Sequence, residues 1–259
     1  MKCFVARNQH PYLRLGPSKV QMLSTDPSRF IVHELLSEAE IDTLTRTFKN
    51  KLTYQTSSPL LVNPSSGKKD IRGGKAATVK FSNLHLNNNV TSKNMMNTIS
   101  KRLEMITLFN LTEYGSITEY RISLNGLGSL VESHDDSYLV ENATQTLHNK
   151  YSFRLQHGDI VATILVWLTN VEGGGGTFFS SHGNEQLAVP VRGSALLWIN
   201  LKSSGDICLK QTHGGCPVSK GNKLVLGAWV NQYSQWNALP CHLDSEMKIE
   251  LRQISAELY

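Results

Sequence analysis

The run "IVATILVWLTNVEGGGGTFFSS", residues 160–181, decides how this chain is read. From Ile160 to Leu168 it is nearly all apolar, the longest such stretch in the sequence. Its length suits a β-strand and falls short of the ~20 apolar residues that a membrane-spanning helix needs. Asn170 and the glycines from Gly173 to Gly176 break the run, and a second strand-like segment covers 177–180. Outward from this core, 117–124, 186–191, 194–201 and 223–230 read as further strands, each bounded by Gly, Pro, Asn or Ser. Many short strands without intervening helices point to a sandwich or jelly roll.

The first half has a different texture. In "LSEAEIDTLTRTF" Ser37 and Glu40 form a capping box ahead of Ile41, Leu44 and Phe48 at helical spacing. "TSKNMMNTISKRLEMITLF" places Met95, Met96, Ile99, Leu103 and Ile106 on one helical face. The fold class expected is α+β, mainly β: a jelly roll with supporting N-terminal helices. A single domain over 1–259 is expected, with helical support in 1–115, the roll in 116–241 and a tail in 242–259. A mobile loop rich in Pro, Ser, Gly and Lys is expected over 62–76.

The 259 residues carry 40% hydrophobic and 18% charged residues, the composition of a globular protein able to bury a core. Part of the +5 net charge lies in Lys68, Lys69, Arg72 and Lys75. That stretch lacks the interleaved aromatics of a nucleic-acid platform and reads as a solvated loop. The N-terminus shows no apolar segment of the kind a secretory signal needs. Sequons at Asn89, Asn110 and Asn142 pull weakly the other way. Cys3, Cys208, Cys216 and Cys241 form no CxxC pair, so a zinc ribbon or thioredoxin-type motif is not expected.

The chemistry starts in "VESHDDSYL", where His134 and Asp136 stand two residues apart. At a strand end, residues i and i+2 share a face, which pairs His134 with Asp136 and sends Asp135 the other way. A third ligand is expected from a late strand, and "KQTHGGCPVSKGNKLVLGAWV" offers His213. Two histidines and one carboxylate make the facial triad of non-heme Fe(II) oxygenases, which leaves positions open for a keto acid and O₂. If that acid is 2-oxoglutarate, its far carboxylate needs a cation, and Lys223 on the next strand is placed to supply it.

These residues lie in a sequence that resembles the catalytic region of animal prolyl 4-hydroxylase α subunits. The resemblance runs from "PYLRLGPSKVQMLSTDP" and "FIVHELLSEAEI" through "VEGGGGTFF" and "RGSALLWINL", and is strongest in "HGGCPVSKGNK" and its continuation to "LPC". It implies a double-stranded β-helix and an Fe(II)- and 2-oxoglutarate-dependent dioxygenase that uses O₂ and L-ascorbate. The reaction implied is hydroxylation of peptidyl proline at C4, coupled to decarboxylation of 2-oxoglutarate to succinate and CO₂. Carried over, His134, Asp136 and His213 are the iron ligands, and Lys223 pairs with the 2-oxoglutarate tail. Asn125, Thr177 and Trp229 join Lys223 around the cosubstrate. Relatives acting on lysine carry arginine where Lys223 stands, so the prolyl branch is favoured.

The resemblance further implies a Cys216–Cys241 disulfide, a collagen-like Pro-containing substrate, protein disulfide isomerase as a β subunit, and the endoplasmic reticulum lumen. The family's longer α subunits carry a signal peptide, a dimerisation segment and a peptide-binding domain upstream; a short form or fragment is therefore expected here. The segment "NGLGSLVESHDD" departs from the family pattern. Asn125 stands for a tyrosine expected to bond 2-oxoglutarate, Val131 for a second tyrosine, and Asp135 for an aromatic. These changes keep two alternatives open: a weakened relative that binds Pro-rich peptide as a module, and a dioxygenase of another target. The Lys68–Lys75 loop is left with two readings, a lid over the site or an ordinary flexible loop.

Overall fold

The computed structural model describes residues 2–6, 11–49, 53–56, 61–62, 69–70, 75–80, 90–113, 117–137, 155–180, 185–236, 239, 244 and 249. The N-terminal part contributes strands β1 (Lys2–Ala6), β2 (Ser18–Thr25), β3 (Ser28–His33), β4 (Thr53–Thr56), β5 (Leu61–Val62), β6 (Lys69–Asp70) and β7 (Lys75–Lys80). It also holds helices α1 (Pro11–Leu15), α2 (Glu38–Lys49) and α3 (Val90–Thr107). There follow β8 (Ile117–Asn125), β9 (Val131–His134), β10 (Ile160–Trp167), β11 (Gly173–Gly174), β12 (Thr177–Phe179) and β13 (Gln186–Ala188). The last strands are β14 (Ala195–Ile199), β15 (His213–Gly215), β16 (Val218–Lys220) and β17 (Lys223–Asn231).

Eight of these strands make the roll. β8, β17, β10 and β14 lie side by side in a large antiparallel sheet, and β9, β15, β12 and β13 form the small one. The chain crosses between the two sheets from β8 to β9, β9 to β10, β10 to β12, β13 to β14, β14 to β15 and β15 to β17. That alternation of hairpins between facing sheets is the jelly roll. Strands β1–β3 extend the large sheet at one edge, and β7 and β4 extend it at the other, to nine strands.

Helical support for the N-terminal part is therefore only half the arrangement, since strands at both sheet edges come from the same segment. On β3, Phe30 and Val32 pack towards the helices while Ile31 joins the core between the sheets, so the strand is buried on both faces. A strand of that kind lacks the clean apolar–polar alternation by which a half-exposed strand is recognised. Of the expected loop over 62–76, residues 63–68 and 71–74 lie outside the described residues; 61–62 pairs with 69–70, and β7 begins at Lys75.

Side-chain parity sorts the large sheet into two faces. On β10, Ala162, Ile164 and Val166 face one way with Leu197 of β14, Leu224 and Leu226 of β17 and Ile122 of β8. Against them pack Ile41, Leu44 and Phe48 of α2 and Ile99, Leu103 and Ile106 of α3. Glu40 caps α2 by accepting from the Ser37 backbone N–H at 2.8 Å, and Arg102 of α3 bonds the same carboxylate at 2.8 Å, which ties the two helices together. The opposite parity points between the sheets, where Trp167, Leu196, Trp198 and Val225 meet Phe179 and Ala188.

Candidate metal centre

The inward parity of the large sheet also delivers the polar residues. Arg121, Ser123 and Asn125 of β8, Thr163 of β10, and Lys223, Gly227 and Trp229 of β17 line a cavity of about 400 Å³. The small sheet closes it with Val131, His134, Thr177 and His213. All of His134, Asp136, His213, Lys223, Asn125, Thr177 and Trp229 are on this one surface.

His134 and His213 are register partners, directly opposite each other on β9 and β15. Opposed residues of an antiparallel pair hold their Cβ atoms about 4.5–5.5 Å apart, so both rings project to the same place. Their centroids are 4.5 Å apart. Each imidazole meets the carbonyl two residues before it: His134 Nδ1 is 2.8 Å from Glu132 O, and His213 Nδ1 is 2.9 Å from Gln211 O. A carbonyl can only accept, so each Nδ1 carries the proton and each Nε2 presents its lone pair. Asp136 completes the set, with its Oδ2 3.4 Å from His213 Nε2 and its Oδ1 3.8 Å from His134 Nε2. One ligand atom from each of the three residues lies within 4.8 Å of the others.

Two aligned imidazole lone pairs and one carboxylate fit a divalent first-row metal, and Fe(II) belongs to that class. The ligands differ in burial: the side chain of His134 is 43% exposed, that of Asp136 11% and that of His213 6%. Burial lowers the pKa of His213, which keeps its ring neutral and available to a cation. Gln211 is itself held from behind, accepting from Nε of the buried Arg29 on β3 at 2.8 Å.

Lys223 is 7% exposed, and burial pulls its ammonium down to about 8. In register it stands opposite Asn125 at one end of the β8–β17 ladder. Trp229 donates from Nε1 to Asp136 Oδ1 at 3.1 Å, so its indole holds that carboxylate as well as walling the cavity. The Arg121 guanidinium lies 5.0 Å over that indole, and a Cβ at Gly227 would come within 3.1 Å of the ring. Asp135 turns away from the triad and accepts from Thr212 Oγ1 at 2.7 Å. Among the described residues Cys216 is a free cysteine, and Cys241 lies outside them, so the expected Cys216–Cys241 disulfide is not part of the described structure. Residue 68 and residues 71–74 of the loop read as a lid also lie outside the described residues.

Sequence reasoning passed over Thr163, Asn200 and Arg121. Thr163 and Asn200 had a signal: each is a polar residue in or at the end of an otherwise apolar strand, at the parity that faces inward.

No protein-family model matches the chain. It is similar to prolyl 4-hydroxylase subunit α-2 of Caenorhabditis elegans, 26% identical over 254 residues that cover 96% of this chain and 42% of that protein. Subunit α-3 of Homo sapiens is 29% identical over 255 residues, which cover 94% of this chain and 41% of that one. The chain thus spans less than half the length of these relatives. Among solved structures, a viral collagen prolyl hydroxylase from Paramecium bursaria Chlorella virus-1 in complex with 2OG aligns with a TM-score of 0.49 and 17% identity, covering 78% of this chain and 94% of that one. A Pseudomonas putida prolyl-4-hydroxylase aligns with a TM-score of 0.45 and 12% identity, covering 80% and 94%.

Proposed function

We propose that this chain is an Fe(II)- and 2-oxoglutarate-dependent dioxygenase that hydroxylates proline in polypeptides. The observation that carries this reading is the pairing of His134 with His213, both with Nε2 freed towards Asp136, in a cavity that also holds a buried lysine. The similarity to prolyl 4-hydroxylase α subunits supports proline as the target and C4 as the carbon. The overall change would convert 2-oxoglutarate, O₂ and a prolyl C–H into succinate, CO₂ and a prolyl C–OH.

His134, Asp136 and His213 would hold Fe(II), which when bound supplies the O₂ chemistry. The remaining tasks fall to the chain. Lys223 offers a charged ammonium to the far carboxylate of 2-oxoglutarate, in buried surroundings whose lower dielectric strengthens such an ion pair. Asn125, opposite it, can donate a hydrogen bond to the same molecule, and Thr177 lines the wall on the other sheet. Trp229 and Thr163 hold the Asp136 carboxylate in place. Trp198, Leu165 and Val225 keep the cavity apolar behind the cosubstrate.

The proposal extends to L-ascorbate as the reductant that restores the metal, to a partner subunit such as protein disulfide isomerase, and to the endoplasmic reticulum lumen. The relatives' names as α subunits support a partner, and the sequon at Asn110 is compatible with the lumen. Among the described residues no helix is long and apolar enough to cross a membrane.

The test is succinate release from 2-oxoglutarate with Fe(II), ascorbate and a Pro-rich peptide. Peptide-stimulated turnover that His213→Ala abolishes is expected. Turnover without peptide stimulation would indicate another target. Iron binding without turnover would favour a peptide-binding module, with Asn125 as its cause.

A further inference from the structure

The Asp136 carboxylate is held by a chain of hydrogen bonds that reaches two strands into the protein. Thr163 Oγ1 lies 2.6 Å from Asp136 Oδ2, and Asn200 Nδ2 lies 2.8 Å from Thr163 Oγ1. Both Thr163 and Asn200 are 3% exposed. The direction of the chain follows from proton counting. An ionised carboxylate only accepts, so the single Thr163 proton must go to Asp136. The Thr163 oxygen is then left with acceptor capacity only, and Asn200 must turn its NH₂ towards it.

That orientation leaves Asn200 Oδ1 buried with no hydrogen-bond partner among the described residues. A buried orphan carbonyl is unfavourable and rare in folded proteins. Flipping the amide would present Oδ1 to Thr163, but would take the Thr163 proton away from Asp136. The orphan is thus the consequence of aiming a donor at a metal ligand. On the other side, Trp229 Nε1 donates to Asp136 Oδ1.

We infer that Asn200 and Thr163 are positioning residues for the metal centre: Asn200 fixes the Thr163 hydroxyl so that it holds Asp136 Oδ2 in the one orientation that meets both His213 and His134. This rests on the reading of His134, Asp136 and His213 as a metal site. The outer partners of metal ligands contribute about 10–100-fold to metal affinity, which sets the size of the effect. Asn200 acts only through Thr163, so its effect vanishes when the hydroxyl is gone.

The test is a Mn(II) titration of the metal-free protein, with free Mn(II) counted by its electron paramagnetic resonance signal and folding followed by circular dichroism. Thr163→Val keeps the shape and β-branching of the side chain and is expected to weaken Mn(II) binding by about 10–100-fold. Thr163→Ser, which restores the hydroxyl, is expected to bind within about threefold of wild type. Asn200→Ala should weaken binding in the wild-type background and have no further effect in Thr163→Val. Wild-type affinity in a folded Thr163→Val protein would overturn the inference and leave the metal site standing. An equal loss from Asn200→Ala in both backgrounds would overturn the role of Asn200. Absence of Mn(II) and Fe(II) binding by the wild type would remove the metal reading and the inference together.

Discussion

At the scale of single residues, Lys223 has the most to explain. A buried ammonium is unfavourable for folding, and its lowered pKa of about 8 expresses that penalty. The unfolded chain holds the lysine proton up to its ordinary value of 10.5, so between about pH 8 and that value the unfolded state binds more protons. The contribution of this group to stability therefore rises with pH across that window. Binding a carboxylate needs the charged form and runs the opposite way: 2-oxoglutarate affinity should fall as pH rises past about 8. Calorimetry at pH 8.5 in buffers of different ionisation enthalpy should show proton uptake on binding. Lys223→Met should abolish that binding and yet raise the melting temperature by about 2 °C or more. A lower melting temperature would mean the ammonium has a stabilising partner. Asn125, opposite Lys223, permits a second test: Asn125→Ala, which removes the amide donor, should weaken 2-oxoglutarate binding about fivefold, read as a dissociation constant.

At the scale of elements, the site depends on strands with little apolar pattern of their own. β9 is exposed along all four residues, and β15 consists of His213 and two glycines. The side chains of β9 are exposed and β15 offers one histidine and no apolar side chain, so no hydrophobic alternation marks either strand in the sequence. His134 and Asp136 were legible by their spacing, but the opposition of His134 and His213 is a long-range pairing that no local signal encodes. The strands 160–168 and 223–230 and the two helices were legible because one face of each enters the large core. β3, which carries Arg29 to the back of Gln211, was not. One short element has a sharp requirement: at Gly174, with φ 71°, a Cβ would stand 2.0 Å from the Pro217 carbonyl oxygen where β11 pairs with β16. Gly174→Ala should lower stability by about 2 kcal/mol or more, measured by urea denaturation, through both the clash and the left-handed backbone.

At the scale of the whole molecule, one sheet separates two jobs. Its outer face is closed by α2 and α3 over an aliphatic core, and its inner face carries the cavity. Damage to the first need not reach the second. Leu103→Ala, in the helix layer, should lower stability by about 2–5 kcal/mol and leave the Mn(II) dissociation constant within about twofold, provided the protein remains folded at the assay temperature. A parallel loss of metal affinity would show that the sheet transmits strain from one face to the other.

In the proposed metal site, the unequal exposure of the two histidines would give the ion a direction of travel. His213 is sealed at the inner wall, whereas His134 stands at the doorway. An incoming chelator would displace a His134 bond while His213 and Asp136 still held the ion, so removal would not wait for spontaneous release. Metal loss should then accelerate with chelator concentration, and a bulky chelator unable to reach the doorway should strip the ion only at the slow intrinsic rate.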